Sequence, residues 1–209
     1  MEELYVEYLL DAAFIRLKKT LGNNGGRFHI TLLDGGPRIS EQELKYSFIE
    51  TFIEKGPNGY TYSVETPTVE TYRFSEKGEK LNKPQCCTIA NGVRGRKGNI
   101  DVVLYVGDTR VALIEFKANT SDFFKYSKDF CKLENEREGI MRFFVEIFVC
   151  TTDGDEKEIE NKLYCNDFGN IANNTVYIGY SLNHLNTGNC VKIVGNNKCQ
   201  RVSINDFPI

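Results

Sequence analysis

From Asn99 to Asn119 the chain reads NIDVVLYVGDTRVALIEFKAN, two apolar runs rich in β-branched residues joined by Gly107-Asp108-Thr109. Such a segment has few choices but a β-hairpin. Side chains alternate faces along a strand, so Glu115 and Lys117 emerge on one face, Ile114 and Phe116 on the other. Asp101, fourteen positions before Glu115, interrupts the apolar run Ile100, Val102, Val103, Leu104. A hairpin brings Asp101 beside Glu115. Two carboxylates and an ammonium on a half-buried sheet are costly unless something binds there, and a divalent cation is the natural occupant.

The segments around the hairpin set the fold class. Residues 2–21 place Leu4, Val6, Leu9, Leu10, Ala13, Phe14, Leu17 and Leu21 at helical spacing, and GNNGG at 22–26 ends that helix. Phe28 to Leu33 reads as a strand before the Gly35-Gly36-Pro37 turn. Ser40 opens a second helix running to about Lys55, with Glu43 as the reciprocal partner of a capping box and Gly56-Pro57-Asn58-Gly59 as its stop. Residues 60–74 are extended and bent at Pro67, and 75–98 read as a long polar loop. After the strands at 99–106 and 110–117, Ser121 to Glu138 is helical, with Phe124, Phe130 and Leu133 among its apolar positions. MRFFVEIFVCT at 141–151 is a central strand. A helix near 155–164 and strands near 175–182, 190–194 and 200–204 complete the chain. The middle is thus helix, strand, strand, strand, helix, strand, and a hairpin followed by a helical crossover implies a mixed sheet covered by helices.

Composition removes several function classes. No run approaches the ~18 apolar residues of a membrane span, and the acidic start MEELYVEYLLDAAF is unlike a secretion signal. Seven cysteines, an odd number without a regular framework, fit a reducing cytoplasmic setting. Cys86-Cys87, Cys150, Cys165, Cys190 and Cys199 lack C-x-x-C spacing, Cys131 reads as core, and His29 and His184 stand far apart, so no zinc site is expected. No glycine-rich phosphate loop is present. A net charge of −3 argues against coating nucleic acid by bulk electrostatics, yet leaves room for an enzyme that grips a few phosphates.

With Asp101, then Glu115-Phe116-Lys117, on neighbouring strands within that element order, the chain resembles the PD-(D/E)XK nuclease superfamily. The resemblance covers roughly residues 40–150 and departs from the pattern at Ile100, where a proline often stands. It implies a single restriction-endonuclease-like domain over 1–209: an α/β fold with an αβββαβ core and a mixed central sheet flanked by helices. The N-terminal helix and extra C-terminal strands lie outside that core. The superfamily often adds a glutamate from its first core helix. Glu41 lies on the apolar face that Leu44, Phe48, Ile49, Phe52 and Ile53 define, while Glu43, Glu50 and Glu54 lie on the opposite side. Glu41-Gln42-Glu43-Leu44 also looks like the E-x-x-L opening of archaeal Holliday-junction resolvases, so Glu41 is the choice, with Glu50 its replacement if the register slides.

The resemblance implies a metal-dependent nuclease, acting on DNA in preference to RNA. Mg²⁺ would be held by Asp101, Glu115, the backbone carbonyl of Phe116 and Glu41, with Mn²⁺ able to substitute. Lys117 would orient or deprotonate the attacking water. A homodimer and no membrane association are implied as well. Lesser candidates are the basic stretch Arg94-Gly95-Arg96-Lys97-Gly98 as a flexible phosphate contact, Lys125, Lys128 and Lys132 along a groove, and base-stacking tyrosines near 60–72. The rival class is a catalytically inactive nuclease-fold module binding nucleic acid or protein in a defence or repair assembly. A different α/β hydrolase has no nucleophile motif to support it.

Overall fold

The segment that begins the core is a helix because its first turn is capped. Ser40 is extended, its backbone N–H donates to Glu43 Oε2 at 2.7 Å, and its Oγ accepts from the Gln42 N–H, the reciprocal box expected. Such a cap is worth about 1 kcal/mol. At the other end the Gly56 N–H donates to Phe52 O at 2.7 Å and Pro57 prevents continuation.

The computed structural model describes residues 3–21, 32–33, 36–37, 39–74, 87–89, 95–118, 123–136, 139–150, 175–183, 190–195 and 200–203. In chain order these form α1 (Glu3–Leu21), β1 (Leu32–Leu33), β2 (Gly36–Pro37), α2 (Glu41–Lys55), β3 (Tyr60–Pro67), β4 (Tyr72–Phe74) and β5 (Cys87–Ile89). They continue as β6 (Asn99–Val106), β7 (Thr109–Ala118), α3 (Phe123–Asn135), β8 (Met141–Cys150), β9 (Val176–Asn183), β10 (Cys190–Gly195) and β11 (Gln200–Ser203). A seven-stranded mixed sheet runs β11-β10-β9-β8-β7-β6-β3. β3, β6 and β7 are an antiparallel meander, β7 pairs parallel with β8, and β8 with β9. A parallel step requires a crossover, and α3 supplies the one between β7 and β8. The element order α2, β3, β6, β7, α3, β8 is the one expected, with the β4–β5 hairpin inserted.

Each sheet face has its own cover. Phe116, Ile114, Val102 and Leu104 pack in one cluster with Leu9, Phe14 and Leu17 of α1 and Leu44, Phe48 and Phe52 of α2. Phe14 stacks on Tyr180 at 4.6 Å, and the Tyr180 hydroxyl donates to Asp11 at 2.8 Å, which fastens α1 to β9. Burying each large apolar side chain contributes roughly 1.5–3 kcal/mol. On the opposite face Phe130 of α3 stacks on Phe144 at 4.3 Å. The alternation of β7 therefore sends Glu115 and Lys117 towards α3, between the sheet and a helix.

Three expectations need correction. Ile53 is 67% exposed and Ile49 half-buried, whereas Lys45, Ser47 and Thr51 are buried. The reason is α1, which lies along the flank of α2 and takes a hydrogen bond from Ser47 Oγ to Ala13 O at 2.6 Å. The stretch 75–98 is not loop throughout, since β5 pairs antiparallel with β4 and Arg96 bridges to Tyr72. Cys131 is half-buried rather than core. The helix near 155–164 and the residues 28–31 of the early strand lie outside the described residues. Among the described residues no helix is long and apolar enough to cross a membrane.

Candidate active site

Pairing of β6 with β7 runs from Val106↔Thr109 to Val102↔Ile114, and Asp101 and Glu115 follow immediately. There the Phe116 N–H donates to the side chain of Asp101 (Oδ2, 2.8 Å). The carboxyls of Asp101 and Glu115 lie near enough on neighbouring strands for each to influence the other's proton affinity. Both are buried, so the strand alternation has put two acids side by side in the sheet. The side chain of Phe116 turns to the other face, against the Phe48 ring at 5.8 Å.

Lysines from both flanking helices reach this pair. Lys45 of α2 places Nζ 3.0 Å from Asp101 Oδ1 and 2.6 Å from Glu65 Oε1. Lys132 of α3 donates to Glu115 Oε1 at 2.5 Å and to Asn99 O at 2.6 Å, and lies 2.8 Å from Asp129 Oδ1. Lys117 sits between Asp129 Oδ2 at 3.1 Å and Glu41 Oε2 at 3.3 Å. Glu65 has φ +49°, unique among described non-glycine residues, and falls between the β3–β6 pairs Val64↔Val102 and Thr66↔Ile100, across from Asp101. Holding a glutamate there costs on the order of 1–2 kcal/mol.

Five carboxylates (Glu41, Glu65, Asp101, Glu115, Asp129) thus face three ammoniums (Lys45, Lys117, Lys132), a surplus of negative charge if all are ionised. Burial pushes the Asp101 carboxyl up, but the Phe116 N–H and the Lys45 ammonium outweigh it and hold Asp101 below the ordinary carboxylate range. Glu115 goes the other way. Burial, then the charges of Asp129 and Asp101, lift it well above that range despite Lys132. Burial lowers Lys117 and Lys132, yet their acidic neighbours raise both above an ordinary lysine, Asp129 and Glu41 for the first, Glu115 and Asp129 for the second. For Lys45 burial is likewise outweighed by Glu65 and Asp101, and it too is raised.

The four sequence-derived residues are brought together in two linked pairs: Asp101 with Glu115, and Lys117 with Glu41. Glu41 reaches the site through Lys117, and among the described residues no three of His, Cys, Asp and Glu gather as a metal-binding group. The acids are also not waiting bare for a cation, since Lys45 and Lys132 already neutralise part of their charge. Lys132 points inward and is buried, which corrects its placement along an outer groove; Lys128 is exposed. Asp129 and Glu41 favour the ammonium form of Lys117, which has no free pair with which to take a proton. Glu50 and Glu54 pair with Arg16 of α1 and take no part.

Of the lesser candidates, Tyr72 is fully buried, with its hydroxyl donating to Lys132 O at 3.2 Å, and is no stacking surface, whereas Tyr62 packs edge-on against Phe52 and stays exposed. The basic stretch expected to be flexible is pinned at Arg96 and Gly98: Arg96 N and O bond Tyr72 O and N at 3.0 and 2.8 Å, and Gly98 O accepts from the Thr68 N–H at 2.9 Å, while Arg94 lies outside the described residues. Asp129, Lys45 and Glu65 join the site from outside the sequence motif. No family model, curated protein or solved structure matches this chain.

Proposed function

We propose that the protein is a metal-dependent nuclease of the PD-(D/E)XK type, hydrolysing phosphodiester bonds of nucleic acid, DNA in preference to RNA. One observation carries the reading: Asp101 and Glu115 lie next to each other across the strands where β6 and β7 stop pairing, both buried, and Lys117 stands two residues on, on the same face. Its element order and strand directions suit the restriction-endonuclease-like core.

The donor set fits Mg²⁺. This hard cation is usually held by one or two carboxylates, water and substrate phosphate, so a pair of adjacent acids suffices where a three-acid cage is absent. The negative surplus would be offset by the ion. When bound, Mg²⁺ supplies Lewis acidity at the scissile phosphate. Asp101, kept ionised by the Phe116 N–H and Lys45, and Glu115 would hold it, with the Phe116 carbonyl as a further ligand. Lys117 orients the attacking water and offsets the charge that builds on the phosphate oxygens. Glu41 and Asp129 fix the Lys117 ammonium in place.

Purified protein with Mg²⁺ or Mn²⁺ is expected to cleave at least one of plasmid, linear duplex, single-stranded and branched DNA, and Asp101→Ala or Lys117→Ala to abolish cleavage. Equal behaviour of wild type and both variants on all four substrates would overturn the assignment. The second reading, a non-catalytic module on the same fold, is favoured by the lysines already bonded to Asp101 and Glu115; absence of Mn²⁺ binding in calorimetry would select it.

A further inference from the structure

Lys45 and Lys132 both neutralise the acid pair, but they are held in different ways. Lys132 has three fixed acceptors around it, Glu115, Asp129 and the Asn99 carbonyl, two of them buried acids. Lys45 has two, and they are unlike. Asp101 is buried, at 3.0 Å, whereas the Glu65 side chain is 55% exposed and closer, at 2.6 Å. The lysine stem is flexible and its ammonium compact, so a small swing moves it fully onto Glu65. Glu65 stands across from Asp101 in a left-handed conformation that a glutamate has no intrinsic reason to adopt. Strain of this kind persists where the surroundings hold it and gathers at functional sites.

A divalent cation on Asp101 and Glu115 would meet the Lys45 ammonium at a range where like charges repel strongly. We propose that Lys45 is a built-in counter-cation for Asp101 which the divalent ion displaces, and that Glu65 is the post to which its ammonium moves. The inference rests on the metal-dependent reading above and adds what that reading lacks: how a charge-compensated acid pair becomes available. Lys45 and Glu65 are then positioning residues, acting on metal affinity through one another.

The test is calorimetric titration of the full chain with MnCl₂, for wild type, Lys45→Met, Glu65→Gln and the double variant, with thermal melts in chelator to verify folding. Lys45→Met is expected to bind Mn²⁺ about tenfold more tightly and Glu65→Gln about tenfold more weakly, within the range that outer partners of metal ligands command. In the Lys45→Met background Glu65→Gln should change the affinity less than about twofold, because the post has nothing left to hold. Equal or weaker binding by Lys45→Met would overturn the proposal while leaving the metal site standing, with Lys45 a support for Asp101. An equal loss from Glu65→Gln in both backgrounds would also overturn it and make Glu65 a ligand. If no variant binds Mn²⁺, the metal-dependent reading falls and the proposal with it. Should Lys45→Met not fold, Lys45→Arg replaces it: a guanidinium grips Asp101 in two places and is expected to weaken Mn²⁺ binding, and unchanged affinity there would refute displacement.

Discussion

Glu136 and Glu115 are both buried carboxylates beside α3, 4% and 2% exposed, and they are neutralised by different means. Glu136 accepts from the Val69 N–H at 3.0 Å, the Glu70 N–H at 3.4 Å, the Tyr72 hydroxyl at 3.4 Å and Arg110 at 3.4 Å. Among the described residues no further acid shares that set of donors, and the bonds tie the end of α3 to the turn after β3 and to β7. Glu115 has one lysine, and two other acids, Asp129 and Asp101, press on it. A buried charge surrounded by donors is a fastening; a buried charge crowded by its own kind is short of positive charge, which the proposed cation would supply. The same residue type within one helix's reach thus serves the fold at Glu136 and the proposed chemistry at Glu115, distinguished by what surrounds it.

Giving both sites the same isosteric change separates the roles. Glu115→Gln removes the charge of a proposed ligand and is expected to slow cleavage by about 10³-fold, near the upper range for a group acting on the transition state. Single-turnover rates at saturating Mg²⁺ measure it, and a loss below tenfold would strip Glu115 of its role. Glu136→Gln leaves Arg110 partly buried without its counter-charge and weakens the bonds to Val69 and Tyr72, so a loss of about 3 kcal/mol in urea unfolding is expected. Cleavage below the melting temperature should be intact. If Glu136→Gln destroyed cleavage and spared stability, the contrast would be reversed.

The third prediction concerns pH in the metal-free protein. Because the Glu115 carboxyl is raised above the ordinary range by burial, Asp129 and Asp101, its contribution to stability is complete below the unfolded value, near pH 4, and is lost as pH rises through the folded value. Glutamine does not titrate. Glu115→Gln should therefore match the wild type at acid pH and exceed it at pH 8 in chelator, a stabilisation at the proposed site. Melting temperatures at pH 4.5 and 8 check this; a gap that narrows with rising pH would contradict the sign.

Much of this contrast was legible in the sequence. Strand alternation places Asp101, Glu115 and Lys117 on one face, and the period of α2 places Glu41 beside Phe48 and Phe52. Reading helix charges as outward by default hid the rest. At ~100° per residue, Asp129, Lys132, Leu133 and Glu136 fall within a sector of roughly 100°, so these charges share the apolar stripe of α3. Lys45 lies about 20° from the direction of Phe52 by the same arithmetic, whereas Ile53 is turned away from Phe48. Glu65 had no such signal. Its left-handed backbone arises where β3 meets β6, and glutamate is not among the residues that favour positive φ. The β4–β5 pairing was hidden too, because two three-residue strands in a polar segment carry too little periodicity to register.

The smallest expected effect bears on the helix register. Glu50 is the alternative to Glu41, and at 3.1 Å it pairs with Arg16 of α1, which also meets Glu54. Glu54 is exposed, Glu50 is half-buried, and Arg16 keeps one acid when the other is lost, so Glu50→Gln should cost no more than about 0.5 kcal/mol. Glu41→Gln, by contrast, removes one of the two acids on Lys117 and should lower cleavage while Asp129 still holds the ammonium. Compared in one plasmid assay, the two variants sort a helix acid that serves the lysine from one that only joins α1 to α2. If Glu50→Gln lost more cleavage than Glu41→Gln, the register would have slid by the two and a half turns that separate these residues, and the Lys117–Glu41 contact would be the incidental one.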